Sequence, residues 1–140
     1  MRYVKTTNTY KASNFEMNMD NLEARSYSWW LFTRIYEGKM IFNGVNYSNS
    51  TTKHQYKAMR LLNYHYDLKL EFTRKSLSDT KEALQDEIRL ADIKINELLA
   101  LVEKKGTRKE TNRRRMLEVD RLNSHIKNIV ENYLQNQTIV

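Results

Sequence analysis

A chain of 140 residues with a formal net charge of +7 and no cysteine is long enough to bury one modest core. It has no thiol for a disulfide, a Cys-based zinc site or a thiolate nucleophile. The hydrophobic fraction of 40% and charged fraction of 29% are those of a folded, helix-rich protein. No apolar run approaches the roughly 18 residues of a membrane span, and the polar start does not read as a signal, so the expectation is a soluble, cytoplasmic protein with no membrane contact.

Residues 1–24 are rich in Asn and Thr with scattered Tyr, Phe and Met and hold no sustained period. They read as a polar N-terminal arm, frayed or with a short helix from Asn14 to Ala24. From Arg25 to Tyr36 the run RSYSWWLFTRIY is the most aromatic and β-prone segment of the chain. Glu37-Gly38-Lys39 follows as a turn. Met40-Ile41-Phe42 forms a second short strand leading into the tight-turn pair Asn43-Gly44. Large side chains occupy both faces of the first strand, so one face has to meet a helix or a partner.

Thr51 or Thr52 is placed to cap a helix starting at Lys53, with Ala58, Met59, Leu61 and Leu62 as its apolar face. Between Tyr64 and Phe72 apolar and polar residues alternate with the period of a strand. The expected order over residues 25–73 is β-β-α-β, a small α+β domain.

Residues 74–140 change period. Leu77, Leu84, Ile88, Ala91, Ile95, Leu98 and Val102 draw one apolar seam, on a helix opened by Ser76 or Ser78. Val119, Leu122, Ile126, Ile129 and Tyr133 draw a second. Two helices follow, about Ser78 to Lys104 and Arg108 to Gln135, with Gly106 supplying a left-handed stop. The polar break Lys-Lys-Gly-Thr-Arg-Lys favours an antiparallel two-helix coiled-coil arm. The alternative is one continuous helix dimerising as a coiled coil, with Gly106 costing about 1 kcal/mol against alanine.

The tip of that arm, 104–115, holds Lys104, Lys105, Arg108, Lys109, Arg113, Arg114 and Arg115 against one acid, Glu110, so a net +6 of the chain's +7 sits in twelve residues. Such a cluster is suited to phosphates or an acidic protein surface. A solvated, self-repelling loop is the other reading. Trp29, Trp30 and Tyr36 are candidates for a protein interface, a use that suits Trp and Tyr; base stacking there lacks the usual RNA-binding fingerprints. His54, His65 and His125 match no metal spacing, and no phosphate loop, HExxH or nucleophile elbow is present. No catalytic residue, metal or cofactor is assigned, and the chain reads as a non-enzyme.

The segment Tyr47-Ser48-Asn49-Ser50-Thr51-Thr52-Lys53-His54-Gln55 resembles a Tyr-Ser-x-(Ser/Thr)-Thr-(Ser/Thr)-Lys-His-Gln stretch of small uncharacterised proteins of bacteriophages and related mobile elements. The likeness covers about residues 26–62 and transfers no chemistry. It implies a strand followed by a helix, and a phage accessory setting in the host cytoplasm. Lys53, His54 and Gln55 at the helix start are candidates for an auxiliary anion contact. The expected function is binding of nucleic acid or of a host nucleic-acid-handling complex, in the manner of an inhibitor of host defence such as a CRISPR effector. The alternative is an assembly protein that self-associates, as a homodimer, through its helices.

Overall fold

The computed structural model describes residues 4–6 and 8–134. It is an α+β protein that divides into two compact units, Met1–Ala83 and Leu84–Val140. The first holds a seven-stranded sheet in chain order: β1 (Val4–Thr6), β2 (Thr9–Ala12), β3 (Phe15–Asn18), β4 (Glu23–Ser26), β5 (Trp30–Tyr36), β6 (Lys39–Asn43) and β7 (Leu68–Leu70), with helix α1 (Asn49–Leu61) between the last two. The first five pairings are antiparallel; β6 and β7 run parallel, Ile41 opposite Leu68 and Asn43 opposite Leu70. That parallel pairing needs a crossover, and α1 provides it.

Within residues 1–24 the described positions carry strands β1 to β3 and the start of β4, in place of the expected polar arm or a helix from Asn14 to Ala24. The expected β-β-α-β order is present as β5-β6-α1-β7, extended by four strands. The Asn-rich composition is turn chemistry. Asn18 Oδ1 accepts the backbone N–H groups of Asp20 (2.8 Å) and Asn21 (3.4 Å), and Asn21 Oδ1 accepts that of Glu23 (3.0 Å). These Asx contacts turn β3 into β4. The hairpin from β5 to β6 has two left-handed central residues, Glu37 (φ 52°) and Gly38 (φ 74°), the geometry whose twist matches that of the flanking strands. Asn43-Gly44 is not a hairpin turn. Gly44 N–H bonds to Leu70 O at 2.9 Å, and a Cβ there would stand 2.5 Å from Lys69 Cε and 3.2 Å from a Phe42 ring carbon, so the glycine permits a close approach to β7.

Period-two alternation sorts the sheet's faces. Phe15, Met17, Ala24, Trp30, Phe32, Met40 and Phe42 form one buried cluster with Val45, with Ala58 and Met59 of α1, and with Leu62, which caps its C-terminus. Removing one of its large aromatics would cost on the order of 3–5 kcal/mol. Leu31, Ile41, Leu68 and Leu70 are buried as well, on the alternate positions of their strands. Both faces of β5 are thus covered near Trp30, as its double aromatic pattern demands. A single 3₁₀ turn, Leu77–Asp79, lies beside β5: Arg34 donates to Leu77 O (3.2 Å) and to Thr80 Oγ1 (3.0 Å).

Helix α1 begins four residues before the expected Lys53. Its N-cap is Ser48, whose hydroxyl accepts from Thr51 N–H at 3.1 Å, a bond worth about 1 kcal/mol. The expected strand over Tyr64–Phe72 is shorter, only Leu68–Leu70. Left-handed Asn63 (φ 56°) and Tyr64 (φ 58°) turn the chain out of α1, and Tyr64 and Tyr66 lie exposed before the strand begins.

Two long helices follow: α2 (Thr80–Glu103) and α3 (Lys109–Ile129), the latter ending in a π turn, Val130–Leu134. Both apolar seams are on covered sides: Leu84, Ala91, Ile95, Leu98, Val119, Leu122, Ile129 and Tyr133 are buried. A single continuous helix is not formed. The ladder stops at Glu103, Gly106 is left-handed (φ 85°), and Thr107 Oγ1 donates to Lys104 O at 3.2 Å, which closes the turn. Gln135, the expected end of the second helix, lies outside the described residues.

Candidate nucleic-acid interface

The basic cluster occupies the end of α2, the turn and the first turns of α3, and six of its seven cations are exposed. The structure divides them into two groups. Arg113 donates two hydrogen bonds to Glu110, at 2.7 and 3.1 Å, and Arg114 pairs with the same carboxylate at 3.5 Å. The Arg113 bonds hold the Glu110 carboxyl below the usual carboxylate range. Arg115 bonds to Asn112 Oδ1 (3.2 Å) and Leu101 O (3.5 Å), and Asn112 Nδ2 donates to Val102 O (3.4 Å). Arg115 therefore works as a clamp on the last carbonyls of α2, and it is the half-buried member of the seven.

Lys104, Lys105, Arg108 and Lys109 have no acidic partner among the described residues and are all exposed. Lys104 and Lys105 follow the C-terminus of α2, where cations complement the helix dipole. Arg108 and Lys109 open α3 at its positive end, the wrong sign for stability by roughly 0.3–1 kcal/mol each at low salt. Arg108 is the N-cap residue and makes no side-chain capping bond. Helix stability does not account for these two cations.

The other candidate residues separate. Lys53 is exposed and remains free to meet an anion. His54 and Gln55 are not: both side chains are buried and engaged inside the sheet unit. Gln55 Nε2 donates to Asn43 O (2.8 Å) and Val45 O (3.0 Å), and His54 Nδ1 lies 2.6 Å from Ser26 Oγ. Their spacing follows from the helix itself, because α1 begins at Asn49 and turns positions 54 and 55 onto the sheet. The Ser26 partner is 28 residues away and carries no sequence signal. Burial lowers the His54 pKa from its ordinary value, so the ring is neutral at pH 7. The hydroxyls of Ser26, Thr51 and Ser48 continue from it as a short chain, at 3.4 and 3.0 Å. Ser26 and His54 are both buried, and their hydrogen bond ties α1 to β4.

Of the aromatic trio, Trp30 is core at 2% exposure, with its indole N–H on Arg74 O at 2.8 Å. Trp29, 57% exposed, is available to a partner, and Tyr36 is half-buried beside Arg34. Trp29 and Trp30 both lie against Tyr47, with ring centroids 6.3 and 5.1 Å away. Among the described residues, no group of three His, Asp or Glu side chains has the geometry to hold a metal, and no helix is long and apolar enough to cross a membrane. No known protein family, curated protein or solved structure matches the chain.

Proposed function

We propose that this is a non-enzymatic binding protein whose basic turn contacts the phosphate backbone of a nucleic acid, alone or held within a host complex. The observation that carries this reading is the group Lys104, Lys105, Arg108 and Lys109: four exposed cations in six residues, none with an acidic partner among the described residues. Contacts of that kind give affinity without sequence preference. We read α2 and α3 as an antiparallel hairpin that displays the turn, since the start of α2 bonds to the end of α3 (Glu87 to His125) and its end to the start of α3 (Val102 to Asn112). The resemblance of Tyr47–Gln55 to phage and mobile-element proteins supports an accessory role in an infected cell, with occupation of a nucleic-acid-handling defence complex as its specific form.

Binding of a labelled duplex, followed by anisotropy across a salt series, tests it. Alanine at all four positions is expected to cost roughly 1 kcal/mol per contact. Equal affinity of that variant and the intact protein would overturn the reading.

A second reading, self-association through the helices, is favoured by Ile93, Leu101 and Leu117, which are large, apolar and exposed on α2 and α3. Light scattering separates the two: a salt-independent dimer lost on Leu117→Asp supports assembly, and a monomer at all concentrations removes it.

A further inference from the structure

Beside α1, on the side of the β6–α1 connection and the loop that enters β7, lies an open groove of about 540 Å³. Small-molecule sites run from about 300 to 1,000 Å³. Its floor is apolar and nearly buried: Phe42 and Met59. Its sides are tyrosines, Tyr56 at 61% exposure, Tyr64 at 64% and Tyr66 at 40%. Tyr66 is stacked on Phe42, centroids 5.8 Å apart with 30° between planes, so one ring is already held flat at the groove's end.

Rings alone do not define a ligand, but the polar groups here narrow the choice. Asn46 and Asn49 line the groove with exposed amides that no described residue engages. Lys69 supplies a cation, and no carboxylate lines the groove. An apolar peptide segment would leave the amides and the ammonium unmatched, and a neutral sugar would make no use of the charge. A flat ring with hydrogen-bonding edges and an attached anion uses all three kinds of group. Tyr64 is also left-handed, following left-handed Asn63. Residues other than Gly, Asn and Asp seldom adopt that conformation, and a strained aromatic on a cavity rim fits a ligand-holding role.

We infer that this groove takes an unpaired nucleotide of a single-stranded nucleic acid. The base stacks among the tyrosines, the Asn46 and Asn49 amides meet its edge, and Lys69 meets its phosphate. The inference rests on the nucleic-acid reading given above and adds a preference for single strands, which the basic turn by itself does not confer. Stacking on aromatic side chains tolerates any base, because every base has a flat face.

The test uses the full chain and three probes: a short labelled oligothymidylate, an abasic strand with the same number of phosphates, and free thymidine monophosphate. The oligothymidylate is expected to bind about tenfold tighter than the abasic strand. Tyr56→Ala with Tyr64→Ala should erase that difference and leave abasic binding unchanged; both rings are exposed, and a thermal melt checks that the fold persists. Alanine at Lys104, Lys105, Arg108 and Lys109 should instead weaken both strands by the same factor. Equal affinity of the intact protein for the two strands overturns the groove and spares the basic turn. Binding of oligothymidylate or the free nucleotide that depends on the tyrosines and not on the four cations overturns the basic turn and spares the groove as a nucleotide site. No binding of any probe overturns both.

Discussion

His125 Nε2 lies 2.8 Å from Glu87 Oε2, joining α3 to α2 through a carboxylate that has no solvent exposure. A buried carboxylate is tolerated only with hydrogen-bond partners. His125 is one such partner of Glu87. His125→Ala should cost about 1–3 kcal/mol, the penalty of removing one partner from a buried polar group, whereas His125→Gln, which keeps a donor, should lose less. Urea denaturation of the three proteins measures the order directly. An alanine variant as stable as the parent would show that the contact contributes nothing.

His54 gives a pH dependence with a definite sign. Its folded pKa is lowered by burial from the ordinary 6.5, so below pH 6.5 the unfolded chain takes up a proton that the folded chain resists. The contribution is fully present above pH 6.5, declines as pH falls towards the lowered folded value, and levels off below it. Thermal melts from pH 7.5 to pH 5 should show the intact protein losing more stability than His54→Gln over that interval. Parallel curves for the two proteins would remove His54 as the source.

Gln55 holds two carbonyls at the end of β6, Asn43 O and Val45 O, with one amide nitrogen. Asn43 in turn spends its own amide on Thr73 O at 3.0 Å and its side-chain oxygen on Val45 N–H at 2.9 Å. These bonds tie α1 to the exit of β6. Gln55→Ala is expected to destabilise by about 1–3 kcal/mol, and Gln55→Glu by at least as much, since it sets a carboxylate against two carbonyl oxygens. Denaturant midpoints check both, and a stable glutamate variant would contradict the geometry.

What the sequence disclosed and what it hid have physical causes. The seams from Leu84 to Leu98 and from Val119 to Tyr133 were readable because burial on one side of a long helix repeats many times, and the repeat survives local noise. The strand Trp30–Tyr36 was readable for its aromatic density. Strands β2 to β4 have four residues each, too few for a period to declare itself, and what shapes them is Asn18 and Asn21 bonding to nearby N–H groups. Composition registered those asparagines as disorder. The alternation from Tyr64 to Phe72 was real in the letters, but left-handed Asn63 and Tyr64 claim its first part for a turn. At the basic cluster the letters gave the charge and not its disposition: only contacts distinguish Arg113, held by Glu110, from Arg108, whose side chain meets no acid among the described residues.

That distinction makes the basic turn testable residue by residue. If Lys104, Lys105, Arg108 and Lys109 each meet one phosphate of a duplex, the logarithm of affinity should fall against the logarithm of salt with a slope of roughly −3 to −4. Lys104→Ala with Lys105→Ala should make the slope shallower by about 2, each lost phosphate contact removing about one counterion. Arg113→Ala should change slope and affinity less than Arg108→Ala, because the Arg113 guanidinium is already paired with Glu110, and Glu110 keeps Arg114 as a partner when Arg113 is removed. Glu110→Gln should act in the opposite direction and raise affinity by releasing both Arg113 and Arg114 to the polyanion. Duplex titrations at several salt concentrations read all four variants on one scale. A common loss for Arg108→Ala and Arg113→Ala would mean that the cluster acts as undivided charge, and an unchanged slope in the double lysine variant would mean that the phosphates are met elsewhere.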